Sequence, residues 1–252
     1  MYFEIDGSSV RLGGTMHRVP IGRPLATWVD DAISWARVIY LEHDKQESDG
    51  GIFAPMWSAP IGQRLPRSWP RVKGRYPHDV LSHLARLRPG AIALAMLHNP
   101  PSDLGVEYRA LKRAQESEPH GPRIQYLETA AQILAFADNV DDDVWDEAVM
   151  WALDNPNATE RSAEDIYAAW ISGDVEAALR VGTLHGLTRF APIKHAELTS
   201  RNYLWLPIIR ELVRFAREPT LVLVGAAHLG GPDDLVSQLV ASGLKLTVAA
   251  HR

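Results

Sequence analysis

The sequence predicts an α/β fold, a mixed central sheet flanked by helices, on three observations. First, residues 220–224 (TLVLV) form a continuous apolar run, 233–241 carry a helical pattern and 244–249 return to a strand. That order reads as a β-α-β unit with parallel strands and a right-handed crossover. Second, residues 37–41 (RVIYL) form a short buried strand, fed by helically spaced apolar residues between 24 and 35. Third, strand then helix recurs at 124–127, where Thr129 stands ready to cap a helix running through Ala137.

The remaining elements follow in order. Residues 2–12 alternate around a turn at Asp6 and Gly7, which predicts a hairpin whose second strand runs into Gly13 and Gly14. Residues 44–75 hold QESDGG, several prolines, Trp57 and Trp69 with no clean period, and read as a long loop or lid with room for short helices. Helical spacing resumes at 80–87 and at 91–97, the latter apolar all round and so a buried helix. Residues 143–184 are helical, with breaks at Asn155, Pro156 and Asn157 and again near Gly173. Residues 199–216 read as one amphipathic helix burying Leu204, Ile208, Leu212 and Phe215, with Pro207 kinking it or marking a late start. A chain of 252 residues without internal repeats fits one domain.

Composition narrows the function. With 46% hydrophobic and 23% charged residues the chain folds rather than staying disordered. A net charge of −5 and the lack of a basic stripe argue against nucleic acid as a partner. No stretch reaches the roughly 18 apolar residues of a membrane span, and acidic Glu4 and Asp6 occupy the start where a secretory signal carries lysine. The expectation is a cytoplasmic protein without membrane partners. The absence of cysteine leaves histidine and carboxylate as the strong metal ligands.

One short phrase occurs twice: GTMH at 14–17 and GAAH at 225–228, each glycine, two residues, histidine, each just beyond a strand. Ligands of open α/β sheets bind at such strand ends. If the two strands are neighbours, His17 and His228 converge, and Glu42, also ending a strand, joins them at the same edge. Two histidines and a glutamate with an open position suit a metal that lowers the pKa of bound water. Taken singly, a histidine in this setting is more often a hydrogen-bonded structural residue. His43, beside Glu42, reads as a group behind the ligands or at the surface. No GxSxG, GxxxxGK[ST], HExxH or post-strand GxGxxG pattern is present.

GTMH, YLEHD around Glu42, DLGVE at 103–107, LETAAQILAF at 127–136, SRNYLW at 200–205 and LVLVGAAHLGGPDDLVSQL at 221–239 together resemble, in that order, the TraB/GumN family. This family is related to the Tiki metalloproteases and more distantly to ChaN-like haem-binding and erythromycin-esterase-like proteins. The resemblance implies a mixed α/β architecture that joins the two histidine motifs on one edge. It makes His17 and His228 metal ligands or catalytic groups, and Glu42 a ligand or general base. Glu128 matches the glutamate of the family's LET motif, and Arg201 with Asn202 its arginine-asparagine pair. Arg201 either holds a substrate carboxylate or oxyanion, or forms a buried salt bridge to Glu128 or Glu107. Thr15 and Ser200 read as turn or cap residues. Tyr126 stands where the family often has glycine, and Glu107 where it often has aspartate.

The implied activity is metal-dependent hydrolysis, foremost of a peptide bond, with manganese, cobalt or zinc at His17, Glu42 and His228 and a peptide or small molecule as substrate. The rivals are a haem-like or other small-ligand binder without turnover, and a metal-free esterase-like hydrolase using histidine as base.

Overall fold

The computed structural model describes residues 1–44 and 59–249, so that part of the expected loop, residues 45–58, lies outside the described residues. Among the described residues eight strands run in chain order: β1 (Tyr2–Ile5), β2 (Val10–Thr15), β3 (Arg18–Pro20), β4 (Val38–Leu41), β5 (Ser102–Leu104), β6 (Arg123–Tyr126), β7 (Thr220–Gly225) and β8 (Leu246–Val248). Six of them make one mixed sheet in the order β6-β4-β7-β2-β1-β8, and β3 with β5 makes a small second sheet. The α/β class with a central sheet flanked by helices is therefore what the chain adopts.

β7 occupies the middle because it is apolar on both faces. All six of its residues are buried, as a strand covered by helices on either side requires. It pairs in parallel with β4 and with β2, and the register sets Gly14 against Val224 and Thr15 against Gly225. The N-terminal hairpin forms as expected, β1 antiparallel to β2, with Gly7 at φ 73° in the turn. β8 pairs antiparallel with β1 and so runs in the direction of β7, with β2 and β1 between them. The C-terminal β-α-β unit keeps its parallel sense but spans two intervening strands, because the hairpin takes the neighbouring position.

The helices at Trp28–Trp35, Pro89–Ala95, Ala158–Ser172, Val175–His185 and Leu235–Ala241 fall where periodicity places them. Thr129 caps Ala130–Asp138 reciprocally with Gln132, each side chain meeting the other's backbone N–H. Within the expected 44–75 loop, Ile61–Arg64 and Trp69–Arg75 are helical; Ile61, Leu65, Trp69 and Val72 pack with helices Pro89–Ala95 and Asp142–Asp154 in a second apolar cluster beside the sheet core.

One helix was not anticipated and another departs from expectation. Val106–Glu116 buries Glu107 beside Val106 and Ala110. Ser200–Phe215 continues without a break from a π turn at His195–Thr199, so Ser200 is no cap. Its most buried side is Arg201, Asn202, Trp205 and Ile209, whereas Leu204, Ile208 and Leu212 are half-buried and Phe215 is 58% exposed. Apolar periodicity misplaces the stripe because two of the residues turned inward are polar. No helix among the described residues is long and apolar enough to cross a membrane.

Candidate functional site

The carboxyl ends of the four parallel strands meet along one edge of the sheet. β2 ends at Thr15, two residues before His17, and β4 runs out into Glu42. β6 leads to Leu127 and Glu128, whose N–H groups bond the Glu42 carbonyl at 3.2 and 3.0 Å. β7 ends at Gly225, and the following turn, Ala226–Leu229, carries His228. Arg201 and Asn202 reach the same edge from the helix Ser200–Phe215.

Gly225 is the point of convergence. A Cβ added there would lie 3.2 Å from Glu42 Oε1, 3.5 Å from His17 Nε2 and 3.6 Å from His228 Cδ2. Glycine leaves that space open, and its own N–H donates to Glu42 Oε1 at 2.5 Å. His17, Glu42 and His228 are thus brought together from the two ends of the chain and the end of β4.

Hydrogen bonds behind the histidines fix which ring nitrogen bears the proton. Asn202 Nδ2 donates to the carbonyls of Asp233 at 3.0 Å and His228 at 3.4 Å, so its Oδ1 must face His228 Nδ1, 2.8 Å away. An oxygen opposite Nδ1 requires the proton there and leaves Nε2 as a bare lone pair. That lone pair lies 3.8 Å from Glu42 Oε1, two acceptors face to face in a buried setting. His17 is treated alike by another side chain, its Nδ1 lying 2.9 Å from Glu107 Oε1. Nδ1–H donates to that carboxylate, and Nε2 is turned toward Gly225 and Glu42.

A profile of the TraB/PrgY/gumN family matches residues 3–248, nearly the whole chain. The chain belongs to the TraB/PrgY/gumN family. No curated protein and no solved structure matches it.

The electrostatics of this TraB-family site turn on Arg201. Its guanidinium donates to Glu42 Oε2 at 2.7 Å and to Glu128 Oε1 through Nε at 2.9 Å and Nη2 at 2.5 Å, and its plane lies over Trp205. Of the two readings of Arg201, the buried salt bridge is the one the geometry contains, with Glu42 as second partner in place of Glu107. Burial alone would raise the Glu42 carboxyl, but Arg201 foremost, with the Gly225 N–H, holds it well below the usual carboxylate range. Burial pushes Glu128 up despite Arg201. Burial also lowers His228 from 6.5 to about 3, so it is a neutral imidazole, packed at a tilt of 48° against Trp205 with ring centroids 4.5 Å apart.

Glu42, His43 and Glu128 offer ligand atoms all within 4.8 Å of one another, a group that could hold a metal ion. His17 and His228, expected beside Glu42 in the metal set, are not part of that group, whereas His43, read as a secondary residue, is. Arg201 already bridges Glu42 and Glu128, so a cationic group stands within this cluster. The Nε2 lone pair of His228 instead faces the Glu42 carboxylate. The donor set of imidazole nitrogen and carboxylate oxygen suits a borderline divalent ion at either position. Glu128 Oε2 and Glu107 Oε2 are buried and accept no hydrogen bond, leaving acceptor capacity next to both.

Sequence reasoning named DLGVE as a motif without giving Glu107 this task. Gly105 explains it: an added Cβ would lie 1.8 Å from the Met16 carbonyl, and the Gly105 and Val106 N–H groups bond the carbonyls of His17 and Met16. Only glycine permits that approach, which seats Glu107 under His17. Thr15, read as a turn residue, ends β2 and donates its hydroxyl to Glu107 Oε1. Burial would raise Glu107, but His17 and Thr15 hold it low. Glu197, in the π turn, was not singled out by its sequence; burial, partly opposed by Arg201, pushes its carboxyl up. A π turn is itself a common mark of a functional helix, though no residue pattern announces it.

Two openings reach the edge. A cavity of about 580 Å³ is bounded by His17, Gly225 and His228 on one side and extends away between helices, with Glu197 on its wall. A smaller one of about 200 Å³ meets His17, Glu42, His43 and Glu107. His17 is the exposed member, half of its side chain being accessible, while Glu42 and His228 are nearly closed off.

Proposed function

We propose that this chain is a metal-dependent hydrolase of amide bonds, the peptide bond being the case implied by family resemblance. The observation carrying the proposal is that two imidazoles, each with its Nδ1 opposite a side-chain oxygen, turn their Nε2 atoms toward one ionised carboxylate. His17, Glu42 and His228 would hold the ion, with manganese, cobalt and zinc all compatible with nitrogen and oxygen donors. Such an ion supplies Lewis acidity and lowers the pKa of a bound water into the neutral range.

The protein's own residues have separable tasks in this reading. Glu107 and Asn202 set the tautomer and ring orientation of His17 and His228, the kind of support that metal-binding histidines depend on. Arg201 keeps Glu42 ionised, which favours Glu42 as ligand over general base, since a carboxylate held this low is a weak proton acceptor. Glu128 holds Arg201 in place and is a positioning residue. The exposed face of His17, beside both openings, is where substrate enters.

The test is elemental analysis of tag-free protein after reconstitution with manganese, cobalt and zinc in turn, alongside His17→Ala and His228→Ala. The expected result is near-stoichiometric metal in the parent and its loss in both variants, with loss of any amide hydrolysis. Retention of metal and hydrolysis in either variant would overturn the assignment. Metal lost only in His43→Ala would move the site to the Glu42, His43 and Glu128 group.

A further inference from the structure

The larger cavity begins at the site and has a wall that is mostly apolar. Leu94, Leu97, Leu134, Leu187, Ile193 and Leu198 supply much of that surface. Small residues widen it: Ala178, Gly182 and Gly186 on one side, Ala226 and Ala227 beside His228. The arginines at its margin are engaged elsewhere, and Glu197 on its wall is a carboxyl that burial pushes up. Arg64 makes a bidentate pair with Asp142 at 2.7 and 2.9 Å, Arg88 pairs with Asp138, and Arg201 with Glu42 and Glu128.

Such a wall discriminates between ligands by what they must bury. An extended peptide brings an N–H and a C=O for every residue, and each costs free energy if left without a partner. An unbranched alkyl chain brings neither, and gains from every methylene it removes from water. A volume of about 580 Å³ is within the range of pockets that enclose a whole small ligand. We infer that this cavity takes the apolar acyl chain of an N-acyl amine, with the scissile carbonyl at Gly225 between His17 and His228.

The chemistry rests on the hydrolase reading, but occupancy by the chain does not. In the reaction the oxygen of water joins the acyl carbon, the C–N bond breaks, and a proton passes to the departing nitrogen, releasing a carboxylic acid and an amine. The chain binds in the cavity whether or not a metal is present.

The experiment uses the whole protein in excess chelator with 11-(dansylamino)undecanoate as fluorescent probe, competed by dodecanoate, butyrate and tetraleucine. Dodecanoate should displace the probe at a concentration at least about tenfold below butyrate, because eight more methylenes are buried. Tetraleucine should compete weakly. Gly182→Leu adds a side chain where no atom lies within 4 Å of a Cβ, and should weaken the probe by about tenfold through lost volume. Leu94→Glu, at a position 60% exposed on the cavity margin, should weaken it as well and keeps the test open if the first variant folds poorly. Equal competition by butyrate and dodecanoate, stronger competition by tetraleucine, or unchanged binding in the folded variants would overturn the inference. Because metal is absent throughout, failure of the hydrolase reading leaves these results unaffected, and failure here leaves metal binding unaffected.

Discussion

His228 illustrates how one buried side chain couples the site to stability. Burial lowers its pKa from 6.5 to about 3, so in the metal-free protein the unfolded chain takes up this proton first as pH falls. Stability attributable to His228 is therefore fully present above pH 6.5 and decreases between there and about 3, with a limiting slope of about 1.4 kcal/mol per pH unit. Glu42 acts in the same direction: its carboxyl is held low in the fold, so below its ordinary 4.5 the unfolded chain again binds the extra proton. Urea unfolding of metal-free protein at pH 7.5, 6.0 and 5.0 should show the midpoint falling with pH. His228→Gln should flatten the slope over that interval; an equally steep slope in the variant would assign the effect to other groups. The same residue shows what a sequence conceals. GAAH marks His228 as a candidate, but its tautomer depends on Asn202, whose orientation depends in turn on the carbonyls of Asp233 and His228 itself.

Elements place the site through close backbone approaches more than through apolar stripes. The stretch containing β5 and the start of Val106–Glu116 lies against the Met16 and His17 carbonyls because position 105 has no side chain. Gly105→Ala would force a carbon to within 1.8 Å of the Met16 oxygen, so the segment must move and Glu107 must leave His17. The expected cost is about 3 kcal/mol or more in urea unfolding, together with weaker metal binding. Gly74→Ala is the matching control in helix Trp69–Arg75, with nothing within 4 Å of the added carbon, and should gain about 0.5–1 kcal/mol. Similar losses at the two positions would mean that Gly105 has no special role. Strands were legible because β7 is a continuous apolar run and β4 is short, β-branched and aromatic. Val106–Glu116 was not, because Glu107 occupies a position that periodicity reserves for an apolar side chain.

At the scale of the whole molecule, two apolar clusters share the chain. One lies about the six-stranded sheet, and the other gathers helices from residues 61–97, 140–158 and 187–196 beside the cavity. Trp170, in the sheet cluster, ties it to the edge by donating from Nε1 to the Gly14 carbonyl at 2.8 Å, just behind Thr15. β7 is paired on both sides and wholly buried, so its amides open only when most of the structure does. Hydrogen exchange should be slowest at Leu221, Leu223 and Val224 and faster in helix His78–Leu84, which buries only Leu84. Exchange of both at one rate would show instead that the two clusters unfold together.

The sequence by itself determined the α/β class, the parallel strands, and the identity of the residues at their ends, because hydrophobic period, turn residues and ordered motifs are local properties of a chain. It placed His17, Glu42, Glu128, Arg201, Asn202 and His228 at one edge through family resemblance and strand exits. Tertiary structure alone decided that β8 lies two strands away from β7, that Arg201 is committed to two carboxylates, and that Glu107 stands under His17. It also brought His43 close to Glu42 and Glu128 and opened an apolar cavity beside Gly225. Those outcomes depend on distances between residues far apart in the chain, set by sheet order and by where glycine lets backbones approach, and no local pattern encodes them.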